Sequence, residues 1–105
     1  MNLTGRFYDL DDGEDITAVV SRNDGNEIAF DLSHSDGYRY TVALKRHQGS
    51  LFKGTATSQP AGDVAELSCR VYEDATEGIT LIVGAGWRYP GSTHNCRWQV
   101  ELQVD

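Results

Sequence analysis

Proline, which interrupts regular secondary structure, and cysteine, which can form disulfides, are both scarce in this chain. It has two prolines and two cysteines among 105 residues, against 11 glycines. Two cysteines are too few for a disulfide-rich scaffold, and a chain of this length buries enough apolar surface to fold without such staples. Abundant glycine with little proline is typical of a single domain with many tight turns.

Positive charge is also scarce. Nine basic residues stand against 16 acidic ones, which gives a formal net charge of −7. Such a surface repels the phosphates of nucleic acids and the head groups of anionic membranes. The sequence therefore predicts no nucleic-acid partner and no membrane partner.

Long apolar runs are missing as well. No stretch approaches the ~20 apolar residues that a membrane-spanning helix needs. Strand-like alternation begins at Leu3, which leaves no room for a basic and then apolar export leader. We therefore expect a cytoplasmic protein.

Helical periodicity is absent, whereas period-two alternation recurs eight times with turn residues between the runs. The seventh run illustrates the pattern, because alternation places one set of its residues on the inward face: Ile79, Leu81, Val83, Ala85 and Trp87. Eight strands with hairpin-length connections predict a single all-β domain over residues 1–105, an antiparallel up-and-down (meander) barrel. A two-sheet β-sandwich is the alternative.

The opening segment Leu3-Thr4-Gly5-Arg6-Phe7-Tyr8-Asp9 resembles the first strand of avidin and streptavidin, Thr-Gly-x-Trp-Tyr-Asn. Lipocalins share the shorter Gly-x-Trp, and all belong to the calycin barrels. The resemblance implies a calycin-like barrel with an open cup for a small molecule. Phe7 stands where the family has tryptophan. Asp9 stands where avidins have the asparagine that contacts the ureido oxygen of biotin, and a carboxylate cannot donate to that oxygen.

The two ends of such a barrel differ in chemistry. One end collects inward hydrocarbon side chains and is expected to be a packed floor: Leu3, Val20, Ile28, Leu44, Phe52, Val71, Ile79 and Leu102. The opposite end combines aromatic walls with a few polar groups, which is typical of small-molecule pockets. The predicted ligand-binding residues at that end are Phe7, Asp9, His34, Tyr38, Tyr40, Trp87 and Trp98.

The barrel interior has two interpretations. In the first, small inward residues such as Gly5, Gly54 and Ala56 leave room for a cavity. In the second, bulky neighbouring side chains fill that space. The leading hypothesis is a non-enzymatic carrier or sensor of a small apolar or aromatic ligand. The rival is a filled barrel that forms homo-oligomers through an outward strip, Ile82 beside Gly84 and Gly86. Gly84 and Gly86 lie on a strand, so they do not form a phosphate loop.

Catalysis is the third hypothesis. His34 has a suitable reference pKa for proton transfer, with Asp9 to orient it and Cys96 as a nucleophile. No surrounding motif supports this arrangement, so an isomerase or hydrolase is the least favoured function. His94 and Cys96 share a strand face, but four-coordinate zinc needs partners that the sequence does not identify. We therefore expect no catalytic residues, no metal and no cofactor.

The two cysteines are expected to be free thiols. Cys69 lies on the sixth strand and Cys96 on the eighth, with the seventh strand between them. Their α-carbons should then be ~10 Å apart, whereas a disulfide needs ~4.4–6.8 Å.

Overall fold

Eight antiparallel strands follow one another along the chain, as the alternation predicts. A computed structural model describes residues 3–9, 14–33, 39–59, 62–91 and 97–104. The strands are β1 (Leu3–Asp9), β2 (Glu14–Asn23), β3 (Glu27–Ser33), β4 (Arg39–Gln48), β5 (Leu51–Gln59), β6 (Val64–Asp74), β7 (Ile79–Arg88) and β8 (Trp98–Val104).

The sheet closes on itself. Each strand pairs with its neighbours in sequence, and β1 also pairs with β8, from Leu3 opposite Val104 to Asp9 opposite Trp98. The fold is therefore the predicted eight-stranded up-and-down barrel rather than a sandwich. Closure leaves no strand with a free edge.

Alternation places the core correctly on most strands. On β3, Ile28, Phe30 and Leu32 are buried while the residues between them are more exposed. The remaining buried hydrophobic residues fill the barrel from the other strands: Phe7, Val42, Leu44, Phe52, Ala56, Ala65, Leu67, Cys69, Val71, Ile82, Trp87, Trp98, Val100 and Leu102.

Two inward glycines mark close approaches between strands. A β-carbon on Gly5 would overlap the carbonyl oxygen of Glu101, and one on Gly54 would overlap the carbonyl oxygen of Ala43. Glycine at such points lets a sheet bend enough to close. The interpretation that Gly5 and Gly54 leave room for a cavity is therefore wrong, because the neighbouring backbone occupies that space.

A bulge in β7 reverses the predicted faces of that strand. Cys69 on β6 pairs with Gly84, and the adjacent Ser68 pairs with Gly86, so Ala85 is an extra residue. A one-residue insertion exchanges inward and outward positions on one side of it. Trp87, beyond the bulge, faces inward as predicted.

Before the bulge the prediction is wrong. Thr80 and Ile82 face inward and are buried, and Ile82 is 0% exposed. The positions predicted to be inward are only half-buried and lie on the outer face: Ile79, Leu81 and Val83. Ile82 and Gly84 therefore belong to the interior, so of the predicted oligomer contact through Ile82, Gly84 and Gly86 only Gly86, opposite Ser68, lies on the outer face.

Five of the eight predicted floor residues are buried: Ile28, Leu44, Phe52, Val71 and Leu102. Arg46 covers this end of the barrel. Its guanidinium lies 5.0 Å from the centre of the buried Phe52 ring, a cation–π geometry. Nη2 donates to the carbonyl oxygen of Gly25 at 2.7 Å, and Nη1 donates to that of Gly49. Arg46 thus ties the β2–β3 turn to the β4–β5 turn and closes this end. Sequence reasoning missed this role.

Candidate functional site

Four aromatic side chains meet at the barrel end where β1 and β7 finish and β4 and β8 begin. Phe7 and Trp98 are stacked, with ring centres 5.9 Å apart and an interplanar angle of 19°. Trp87 contacts the other three rings edge-on, at 5.5 Å from Phe7, 5.7 Å from Trp98 and 5.7 Å from Tyr40. We call these four residues the aromatic cluster, and Trp87 is its centre.

Trp98 is the fixed member of the aromatic cluster. It lies opposite Gly84 in the register, and a β-carbon on Gly84 would overlap its indole ring. Its Nε1 donates to the carbonyl oxygen of Gly86 at 3.0 Å, and the side chain is fully buried. The bulge and Gly84 together create the slot that holds this ring.

Solvent reaches the aromatic cluster from one side. Phe7 is 6% exposed and Trp87 is 8% exposed, whereas Tyr40 is half-buried at the start of β4. Tyr40 packs against the core. Tyr40 is therefore the member of the aromatic cluster that presents the most surface to solvent.

Ser58 adds a polar group beside Tyr40. It lies directly opposite Tyr40 across β4 and β5 and is buried. Its backbone N–H donates to the carbonyl oxygen of Asp63 at 2.8 Å, and its hydroxyl lies 3.4 Å from the same oxygen. Sequence reasoning missed Ser58, although the inward alternation of β5, continued two residues beyond Ala56, indicates it.

A groove of about 550 Å³ lies at the rim of this end, between the start of β6 and the chain beyond β7. Its lining residues are Gly62, Asp63, Val64, Tyr89 and Pro90. Tyr89 is half-buried and packs against the core, so it borders both the groove and the barrel interior. Val64 is 43% exposed at the start of β6.

Four of the seven predicted ligand-binding residues are thus in contact: Phe7, Tyr40, Trp87 and Trp98. Asp9 ends β1 opposite Trp98 and Glu14. His34 and Tyr38 lie outside the described residues, as do His94 and Cys96.

Cys69 is a free, buried thiol, as its inward position predicts. Its Sγ lies 3.7 Å from the carbonyl oxygen of Phe52. Burial raises the pKa of this thiol to about 12, so almost no thiolate exists at neutral pH. Because the thiolate is the reactive form, burial disfavours Cys69 as a nucleophile in the folded protein.

Within the ranges that the structure describes, no group of three or more His, Cys, Asp or Glu side chains is arranged to hold a metal ion. No helix of sufficient length and apolar character to cross a membrane occurs in that part of the chain. Comparison with known proteins found no matching family model, curated protein or solved structure.

Proposed function

We propose that the protein is a non-enzymatic binder of a small aromatic or apolar molecule, which docks at the barrel end that carries the aromatic cluster. The observation that supports this most is the groove of about 550 Å³ at the rim, whose lining includes Tyr89, a ring that packs against the core to which the aromatic cluster belongs. Small-molecule sites commonly have volumes of about 300–1,000 Å³ and aromatic walls with few polar groups.

The two kinds of ring in the aromatic cluster have different roles in this proposal. Trp98 and Phe7 are a rigid back wall, because both are buried and stacked on each other. Tyr40 and Trp87 present ring surface and edge to the ligand, and Tyr89 extends this surface to the groove. Offset and edge-to-face contacts of this kind stabilise an aromatic pair by about 0.5–1.5 kcal/mol beyond burial.

Charge narrows the ligand class. The chain carries a net charge of −7, and Asp63 lines the groove. A carboxylate at the rim disfavours an anion there, so the proposed ligand is neutral or cationic. The calycin resemblance separately supports a small-molecule ligand, because it implies a barrel with an open cup. The rival hypothesis of outer-wall association loses its basis in Ile82 and Gly84, since both belong to the interior.

Tyr40→Ala should weaken ligand binding about tenfold, because one ring contact of ~1.4 kcal/mol is lost. The measurement is a titration of tryptophan fluorescence with a library of small aromatic compounds that includes indole. Arg39→Ala is the matched control, since Arg39 precedes Tyr40 on β4 and is exposed on the outer face. Its affinity should equal that of the wild type. Equal losses in both variants, or fluorescence changes that never saturate, would contradict the proposal.

A further inference from the structure

The only two lysines of the chain lie directly opposite each other. Lys45 on β4 pairs with Lys53 on β5, and both are exposed on the outer face of the barrel. Like charges at directly opposed positions destabilise a pair of strands. In the absence of a bound anion, this lysine pair therefore lowers the stability of the β4–β5 pairing.

Nearby negative charge does not relieve the two lysines. Glu27 on β3 lies opposite Lys45, yet its carboxylate is ion-paired with Arg22. Among the residues that the structure describes, Lys45 and Lys53 make no ion pair or hydrogen bond through their side chains. Within the described ranges, neither lysine of this register pair therefore has a carboxylate partner.

A bulge in β2 brings a third cation to the same wall. The register between β2 and β3 shifts between Val20 and Arg22, so that Arg22 lies opposite Ala29. Without the bulge, Arg22 would lie opposite the buried Ile28 and share its inward face. Bulges commonly serve to re-aim a side chain in this way.

These cations surround a groove of about 320 Å³ on the outer wall of β3, β4 and β5. Ala29 and Ala43, a register pair, line the same groove as Lys45 and Lys53. The short side chains of Ala29 and Ala43 leave space beside the long side chains of the two lysines. The lining of this groove holds three cations and one carboxylate, in a chain of net charge −7. Arg22 is ion-paired with Glu27 and also lies 3.7 Å from Asp24, so the positive charge of the groove comes from Lys45 and Lys53.

We propose that this groove binds a small oxyanion with two negative charges, either a phosphate group or a dicarboxylate. The ammonium groups of Lys45 and Lys53 donate to its oxygens, and such charge-assisted hydrogen bonds are stronger than neutral ones. The anion also removes the repulsion between the two lysines. This site lies on the outer wall, apart from the aromatic cluster, and does not depend on the proposed ligand there.

The test is a titration followed by two-dimensional amide NMR, with inorganic phosphate in one arm and succinate in the other, at constant ionic strength with sodium chloride. Saturable shifts are expected at amides 43–45 and 53–55 in at least one arm, and the arm that saturates identifies the oxyanion class. Lys53→Gln should weaken binding at least about tenfold, because one of two charged donors is lost. Arg39→Gln removes the same charge at the start of β4, outside the groove lining, and should leave the affinity unchanged.

Thermal unfolding gives an independent readout. Without added anion, Lys53→Gln should raise the midpoint of unfolding, because repulsion is removed. Phosphate or succinate should raise the midpoint of the wild type more than that of the variant, since a ligand stabilises only the state that it binds. Three results would overturn the proposal: shifts linear in anion concentration, equal weakening by Lys53→Gln and Arg39→Gln, or binding of an acidic peptide that neither small anion displaces.

Discussion

Replacing Gly84 with alanine is expected to lower the free energy of unfolding by about 3 kcal/mol, the upper part of the usual range for overpacking. A β-carbon at this position would overlap Cε2 and Nε1 of Trp98. The indole cannot move away easily, because it is stacked on Phe7 and its Nε1 donates to Gly86. Urea unfolding followed by circular dichroism measures the loss.

A double-mutant cycle with Trp98→Leu identifies the cause of this loss. If the clash with the indole dominates, Gly84→Ala should cost about 2 kcal/mol less in the Trp98→Leu background. Additive costs would mean that Gly84 is needed for the backbone of the bulge and not for the ring.

Gly54→Ala is expected to cost about 3–4 kcal/mol or to prevent folding. Here a β-carbon would overlap the carbonyl oxygen and carbon of Ala43, which are backbone atoms of the neighbouring strand. To relieve this overlap, β4 and β5 must separate and lose hydrogen bonds between the strands. The overlap at Gly84 is with a side chain, which can change its rotamer. The free energy of unfolding again reports the effect.

Gly25→Ala is the matched control for this substitution. Gly25 has a φ of 90°, but a β-carbon there would meet nothing within 4 Å. Its cost should be limited to backbone strain of about 1–2 kcal/mol. Equal costs at Gly54 and Gly25 would show that the close approach of β4 and β5 contributes nothing.

The strands and their closure could be predicted because most runs have one apolar face. On β3 and β4 only one choice of inward face buries Phe30 or Val42 without burying a charge. The seventh strand differs, since Leu81, Ile82 and Val83 give apolar residues on both faces. Alternation counted from Trp87 then selects the wrong face, because the bulge at Ala85 shifts the count by one.

That bulge could not be predicted from the local sequence. It is associated with the position of Trp98, which lies on the next strand and occupies the space above Gly84. The same limit applies to Arg22, which a bulge in β2 brings to the outer wall. Arg46 could not be predicted for another reason: its role depends on contacts with the carbonyl oxygens of two turns and with the Phe52 ring, which alternation does not contain.

The aromatic end was predictable in part. Alternation and strand order place Phe7, Tyr40, Trp87 and Trp98 at one end of the barrel. Their mutual contacts and the tight burial of Trp98 depend on ring geometry, which residue spacing does not contain. Tyr89 lies just beyond the end of β7, where alternation no longer defines a face.

Fluorine NMR of protein labelled with 5-fluorotryptophan tests the proposed binding site most directly, because the two tryptophans give two signals. On titration with indole or another saturating compound from the aromatic library, the Trp87 signal should shift along a saturation curve. The shift of the buried, hydrogen-bonded Trp98 should be smaller, and Tyr40→Ala should displace both curves to higher ligand concentration. If no compound moves the Trp87 signal while the protein stays folded, the aromatic cluster is only a packed core and the proposed function is wrong.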